Sequence, residues 1–374
     1  MDKQHFIDAG YVDFGYISPE LTSNSEYPEY IVENVTESVR KIQQHQTRSS
    51  FSFGFMADIH YSTTYNHDIR TKRLFNAYKE IAKRAHIDML VLGGDYVNDG
   101  VKENYKVRNY RELRAHLDGI KYLPVNGNHD DNWIWDNCIE AELAEHQLTA
   151  DEIYNLFYNH LVSLGAEFDA GSEGLYYFYN DVYKKVRYIF IDTNDVPMTF
   201  NEKGEAVHTE KHIFALSQRQ TDWLINKALC FDEEGWSVVF IAHTAFLTSM
   251  KAEHADEYAQ LKVINEIADS YKLGRDLDAE FGSGDYKIKA KAAFSEYKRA
   301  EVVGVFGGHW HKDIIEITEA GVPHIYANCV MMYLPYRKDG EKSEILFDIV
   351  TVDRESRTIH ITRTGYGEDR TVNY

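Results

Sequence analysis

Five apolar stretches of this chain finish on Asp, Asn or His, and that pattern limits the folds open to it. "SFSFGFMAD" leads into Asp58 and His60, and "DMLVLGGD" into Asp95. "KYLPVNGNHD" leads into Asn128 and His129, "SVVFIAHT" into His243, and "VVGVFGGHWH" into His309 and His311. A near-continuous apolar run is what a strand buried on both faces shows. Between the runs, apolar residues fall at helical spacing over about 74–85, 104–118 and 217–229. Strand, helix, strand in this order predicts an α/β fold. In such folds ligands bind beyond the carboxyl ends of the strands, so polar residues scattered in sequence would converge in space.

Composition narrows the functions. The 374 residues are 44% hydrophobic with six prolines, enough for one large domain with a substantial core. The formal charge of −20 argues against an extended nucleic-acid surface, which needs clustered cations, and against docking on anionic lipid. Cys138, Cys230 and Cys329 lie far apart, so neither a disulfide framework nor a zinc ribbon is indicated. The N-terminal residues lack a secretory apolar run and no stretch approaches a membrane span, which makes a cytoplasmic location the expectation. The 27 tyrosines suit half-buried surfaces and clefts.

Residues 1–50 read as an N-terminal extension, with Ile31, Val32, Val35, Val39 and Ile42 marking the face of a helix that packs on the main domain. Residues 51–374 read as that domain. Two stretches near 131–175 and 244–300 are richer in charge and read as helical insertions over one edge of the sheet. "EILFDIVTVDRESRTIHITRT" predicts two strands joined by a turn at 353–357.

The strand-end residues form a nitrogen and oxygen ligand set that suits Mn, Fe, Zn or Co better than a thiolate site. Gly93, Gly94, Gly127, Gly307 and Gly308 stand beside them, where backbone must turn or approach a ligand closely. In "GGHWHKD" the period-two spacing predicts an extended segment with both histidines on one face and Trp310 packing on the other. Each motif alone has an ordinary reading as a turn or a cap. Their order, each after an apolar run, is what points to one site.

The succession DxH, GD, GNHD, a lone His and GHxH resembles the calcineurin-like metallophosphoesterases over residues 53–313. The resemblance implies a four-layer αββα sandwich of two mixed sheets flanked by helices, with two metal ions (Mn, Fe or Zn) at the strand ends. It implies Asp58, His60 and His311 on one ion, Asn128, His243 and His309 on the other, and Asp95 bridging them. Ions so bridged sit roughly 3.5–4 Å apart, where both can clamp a phosphoryl group and acidify the water that attacks it. His129 would then contact phosphate or protonate the departing oxygen.

One branch of the family, the Ser/Thr protein phosphatases, carries GDxxDRG. Here "GDYVNDG" puts Asn98 in place of the acid and Asp99 in place of the arginine, so the chain looks closer to the class III phosphodiesterases. Asn98, Asp99 and Asp130 are candidates to support the site or face substrate. Trp133 and Trp135 read as packing of the insertion, or as stacking at the mouth of the site. Asp192 and Asn194 read as supports or caps, Tyr333 and Tyr336 as possible pocket residues, and Arg70, Lys72 and Arg73 as a solvated helix start. The expected function is hydrolysis of a small phosphodiester or organic phosphate. A nuclease of the same family and a catalytically silent scaffold on the same fold are the alternatives.

Overall fold

The computed structural model describes residues 23–24, 27–62, 67–98, 103–131, 147–172, 174–196, 202, 213–251, 255–331 and 337–374. Asp99, Trp133, Trp135, Cys138, Tyr333 and Tyr336 lie outside them.

The apolar runs form strands of two mixed sheets. Helix α1 (Glu29–His45) precedes β1 (Ser50–Met56); α2 (His67–Ala85), β2 (Leu90–Leu92), α3 (Glu103–His116) and β3 (Tyr122–Pro124) follow. β1, β2 and β3 pair in parallel. Their sheet is completed by β13 (Leu346–Asp353), β14 (Thr358–Gly365) and β15 (Arg370–Asn373), in the order β15-β14-β13-β1-β2-β3. The turn at 353–357 is where the sequence places it, and β15 is a further strand beyond the two that the sequence predicts there.

The second sheet is built from β4 (Glu167–Phe168), β5 (Tyr177–Asp181), β6 (Val186–Ile191), β7 (Ser237–Ala242), β10 (Glu301–Gly307), β11 (Ile314–Ile317) and β12 (Pro323–Tyr326), in the order β11-β12-β10-β7-β6-β5-β4. The sheets face each other across an aromatic seam. Phe53 of β1 meets Tyr188 and Phe306 edge-on, both at 5.5 Å between ring centres. The opposite face of β1 is covered too, Gly54 lying against Tyr78 of α2, so the strand is buried along nearly its whole length.

Helix α1 buries Ile31, Val35 and Ile42, the face its spacing marks, and packs on α2 and β14. The stretch near 244–300 departs from expectation. Its α4 (Lys262–Leu273) and hairpin β8 (Leu277–Phe281) and β9 (Ile288–Ala292) cover the outer face of the second sheet, where Ile264, Ile267, Tyr271 and Ile288 join Val238 and Phe240 in a second core. They line a face rather than an edge because their apolar residues need a partner of that area.

The tyrosines also depart from expectation. Tyr96, Tyr110, Tyr158 and Tyr177 are wholly buried; the hydroxyls of Tyr96, Tyr110 and Tyr177 find backbone, and that of Tyr158 meets Tyr96 Oη at 2.9 Å. Tyr177 donates to Pro124 O at 2.7 Å, Tyr110 to Asp130 O at 3.0 Å, and Tyr96 to Val125 O. These bonds pin the loop that leaves β3, and that loop carries Asn128 and His129. Arg70 and Arg73 are likewise not merely solvated, for Arg70 pairs with Asp339 and Arg73 with the buried Glu344 at 3.0 Å. No described helix is long and apolar enough to cross a membrane.

Candidate metal centre

Five loops leave the carboxyl ends of β1, β2, β3, β7 and β10 and meet between the sheets. One group of ligand atoms comes from Asp58, His60, Asp95 and His311, a second from Asp95, His243 and His309; within each group all lie within 4.8 Å of one another. Asp95 belongs to both. Its Oδ2 is 3.3 Å from His243 Nε2 and 3.7 Å from His60 Nε2.

In the first group the Nε2 atoms of His60 and His311 are 3.2 Å apart, and His311 Nε2 is 3.2 Å from Asp58 Oδ1. Ligands about 2.1 Å from one ion and at right angles would lie about 3 Å apart, so these spacings fit edges of a coordination shell. In the second group Asn128 Oδ1 is 3.1 Å from His243 Nε2 and 3.0 Å from His309 Nδ1. His243 Nδ1 is 2.7 Å from Gly93 O, which can only accept, so Nδ1 carries a proton and Nε2 is the nitrogen that faces the site. The donors therefore suit one metal ion per group.

The backbone at this site is unusual. Among the described residues eight non-glycine residues have positive φ, and five of them are Asp58, His60, Asp95, His309 and His311. This corrects the extended reading of "GGHWHKD". β10 ends at Gly307, and His309 and His311 take φ of 71° and 52°, so no strand alternation aims them. Trp310 does not turn away to a separate side; its ring lies 5.0 Å from that of His309 and 5.2 Å from that of Tyr258. What holds the loop is Asp58, both of whose oxygens accept the His309 N–H at 3.0 Å. Gly308 permits that approach, since a Cβ there would collide with the Asp58 carboxylate.

Asp313 anchors the same loop from its far end. Its carboxylate receives Arg363 at 2.6 Å and Arg370 at 2.8 Å, and both arginines also pair with buried Asp348. The C-terminal strands thus grip the segment that presents the two histidines.

Charge is organised around Asp95. Burial opposes its ionisation, but His243, His129 and His60 outweigh burial and hold the carboxyl well below the usual range. Burial lowers His243, but Asp95 pushes it up to about 9, so without a cation its Nε2 holds a proton towards Asp95 that a metal would have to displace. His309 is held well below its usual value by burial and then by His243, which keeps it in the neutral, ligating form. Asp130 is pushed up to about 7 by burial and by Asp95. It accepts the N–H groups of Asp95, Tyr96 and Gly127 at 3.1, 2.9 and 2.9 Å, so it shapes the backbone behind Asp95.

His129 has a different environment from the seven candidate ligands. Its N–H donates to Asp95 Oδ1 at 2.9 Å, while its imidazole is 23% exposed and Nε2 stays 3.9 Å from Asp95 Oδ2. Asp58, His60, Asp95 and His243 are at most 1% exposed. The centre therefore opens on the side of His129 and of His311, whose side chain is 37% exposed.

Asn98 acts through its backbone, its N–H donating to Tyr61 O and its carbonyl accepting Lys106 Nζ at 3.1 Å. Lys106, which the sequence reading passed over, is fully buried and also donates to His129 O at 2.6 Å. An isolated lysine on a helix carries no motif that would single it out. Asp192 and Asn194 are supports: Asp192 accepts Leu175 N and Asn194 N and receives Asn126 Nδ2 at 3.3 Å. Tyr258, also unsuspected, places its hydroxyl 2.7 Å from His309 Nε2.

The family model described as calcineurin-like phosphoesterase matches residues 51–313, well over half of the chain. The chain is a calcineurin-like phosphoesterase. No functionally curated protein matches the sequence of this phosphoesterase. Its fold is similar to that of a dimetal phosphatase from Danio rerio, with a TM-score of 0.59 at 15% identity over 87% of this chain and 99% of that one. A 5'-nucleotidase from Candida albicans SC5314 is also similar, at a TM-score of 0.41 and 15% identity over 81% of this phosphoesterase and 47% of the nucleotidase. The family and fold make it a metal-dependent phosphoester hydrolase of mixed α/β architecture with two large mixed sheets.

Proposed function

We propose that this phosphoesterase cleaves a phosphodiester or a small organic phosphate with two metal ions. The observation that carries the reading is the single Asp95 carboxylate shared by two converging ligand groups. Asp58, His60 and His311 would hold one ion, Asn128, His243 and His309 the other, and Asp95 both. Two cations held there would neutralise charge on a phosphoryl group and make a water acidic enough to attack phosphorus.

The chain's own contribution is arrangement. Asp95 fixes the spacing, Gly93 O fixes the His243 tautomer, and Asp58 fixes the loop that carries His309 and His311. His129, on the open side, is placed to give a proton to the departing oxygen. Manganese, iron and zinc all suit this donor set. The net charge of −20 favours a small substrate over extended nucleic acid. A cytosolic setting belongs to the same reading, supported by Cys230 and Cys329 as free thiols.

The test is a panel of phosphomonoesters, phosphodiesters and cyclic nucleotides on protein stripped of metal and reloaded with manganese or zinc. The Danio rerio relative is a dimetal phosphatase, so monoesters belong beside diesters in that panel. Turnover of a small diester such as bis-p-nitrophenyl phosphate that depends on added metal is the expected result. Metal uptake without turnover of any panel member would instead mark a silent scaffold.

A further inference from the structure

We propose that Tyr258 is a positioning residue for the second ion, its phenol holding the His309 imidazole in the tautomer that can ligate. The inference rests on the two-metal reading above and gives the 244–300 stretch a part in it.

Tyr258 lies in the segment that leads into α4, is 5% exposed, and brings its hydroxyl to 2.7 Å from His309 Nε2. Its ring is held independently of that contact. It stacks on Phe214 at 4.5 Å and 15°, and Trp310 tilts against it at 5.2 Å. The phenol is thus delivered by an aromatic cluster and not by a free side chain. On its other edge the His309 ring turns Nδ1 to 3.0 Å from Asn128 Oδ1, which is itself 3.1 Å from His243 Nε2. Nδ1 is therefore the nitrogen that faces the second group.

A neutral imidazole carries one proton. If it sits on Nδ1, that nitrogen bonds Asn128 and cannot ligate. If it sits on Nε2, it needs an acceptor inside the protein, and the Tyr258 oxygen is in place to be one. A buried N–H without an acceptor is disfavoured, so removing the phenol oxygen disfavours the ligating tautomer. His243 solves the same problem with Gly93 O, a backbone group of the loop that leaves β2. His309 borrows its acceptor from the insertion. Partners of this kind typically change metal affinity 10–100-fold.

The two histidines thus make the test selective. In full-length Tyr258→Phe, the ring and its stacking on Phe214 remain and only one oxygen is lost. Metal-stripped protein is titrated with manganese alone, and with zinc alone, by calorimetry, with bound metal counted after dialysis at fixed free metal. Wild type should show two sites. The variant should keep the first within about twofold and lose affinity at the second by about 10–100-fold, with an unchanged thermal midpoint in the metal-free state. Phe214→Leu, which disturbs the stacking but keeps the oxygen, should lower the midpoint and weaken the second site less than Tyr258→Phe does. Equal weakening of both sites in Tyr258→Phe, or none, would overturn the assignment. Wild-type protein that binds neither metal at two sites would overturn the two-metal reading itself, a separate result visible before any variant is made.

Discussion

Replacing His129 with alanine tests the proposed chemistry most directly, because the side chain borders the centre without closing it. Its backbone N–H holds Asp95 Oδ1 at 2.9 Å, and alanine keeps that bond. Its imidazole stays 3.9 Å from Asp95 Oδ2 and meets the His60 ring edge-on at 4.9 Å, so neither ligand group depends on it for a donor atom. Metal content should therefore equal that of wild type. A lost general acid costs about 10²–10⁴ in kcat, or about 3–5 kcal/mol in the barrier. The penalty should follow the leaving group. An alkyl alcohol leaves poorly without a proton and should show the full loss, whereas p-nitrophenol leaves readily as its anion and should show much less. The assay is kcat for a paired alkyl and p-nitrophenyl ester, with metal measured on the same samples. The same loss for both esters would refute proton donation, and loss of metal would refute the placement of His129 outside the ligand set.

Asp95→Asn removes the one anion that both groups share, so metal uptake at both sites and turnover should collapse together; near-normal turnover would end the bridging assignment. Gly308→Ala puts a Cβ against the Asp58 carboxylate and Ala57. It should lower manganese affinity at the first site and cost about 1–3 kcal/mol in denaturant stability, and an unchanged affinity would show that Asp58 can move freely. His324 supplies a pH prediction. Burial pushes it down to about 4 against the pull of Glu316, so the unfolded chain binds the proton more readily than the folded one. Its contribution is complete above pH ~6.5 and is lost as pH falls towards 4, by about 3 kcal/mol. In urea unfolding at pH 7.5 and 4.5, His324→Leu should lose about 2–3 kcal/mol less than wild type, and parallel losses would contradict this.

The strands and the candidate site are legible for one reason: burial on two faces leaves an apolar run, and a ligand at its end must be polar. Asp58, Asp95, Asn128, His243 and His309 could be named because each follows such a run. What escaped acts through tertiary contact and leaves no local trace. Tyr258 and Lys106 reach the site from elements with ordinary helical or loop sequences, and β15 is four residues long. The conformation of "GGHWHKD" was misread because alternation assumes an extended backbone. The Asp58 carboxylate, some 250 residues away in sequence, imposes a different one.

The left-handed conformation at Asp58, His60, Asp95, His309 and His311 gathers backbone strain at the candidate metal centre. A side chain in that region costs about 1–2 kcal/mol where glycine costs almost nothing. Glycine at Asp58 or Asp95 would relieve the strain but lose the carboxylate that accepts the N–H of His309 or of His129. The loops that present the ligands are therefore stiff because they are wired to one another, and relaxing one of them would let its neighbours drift.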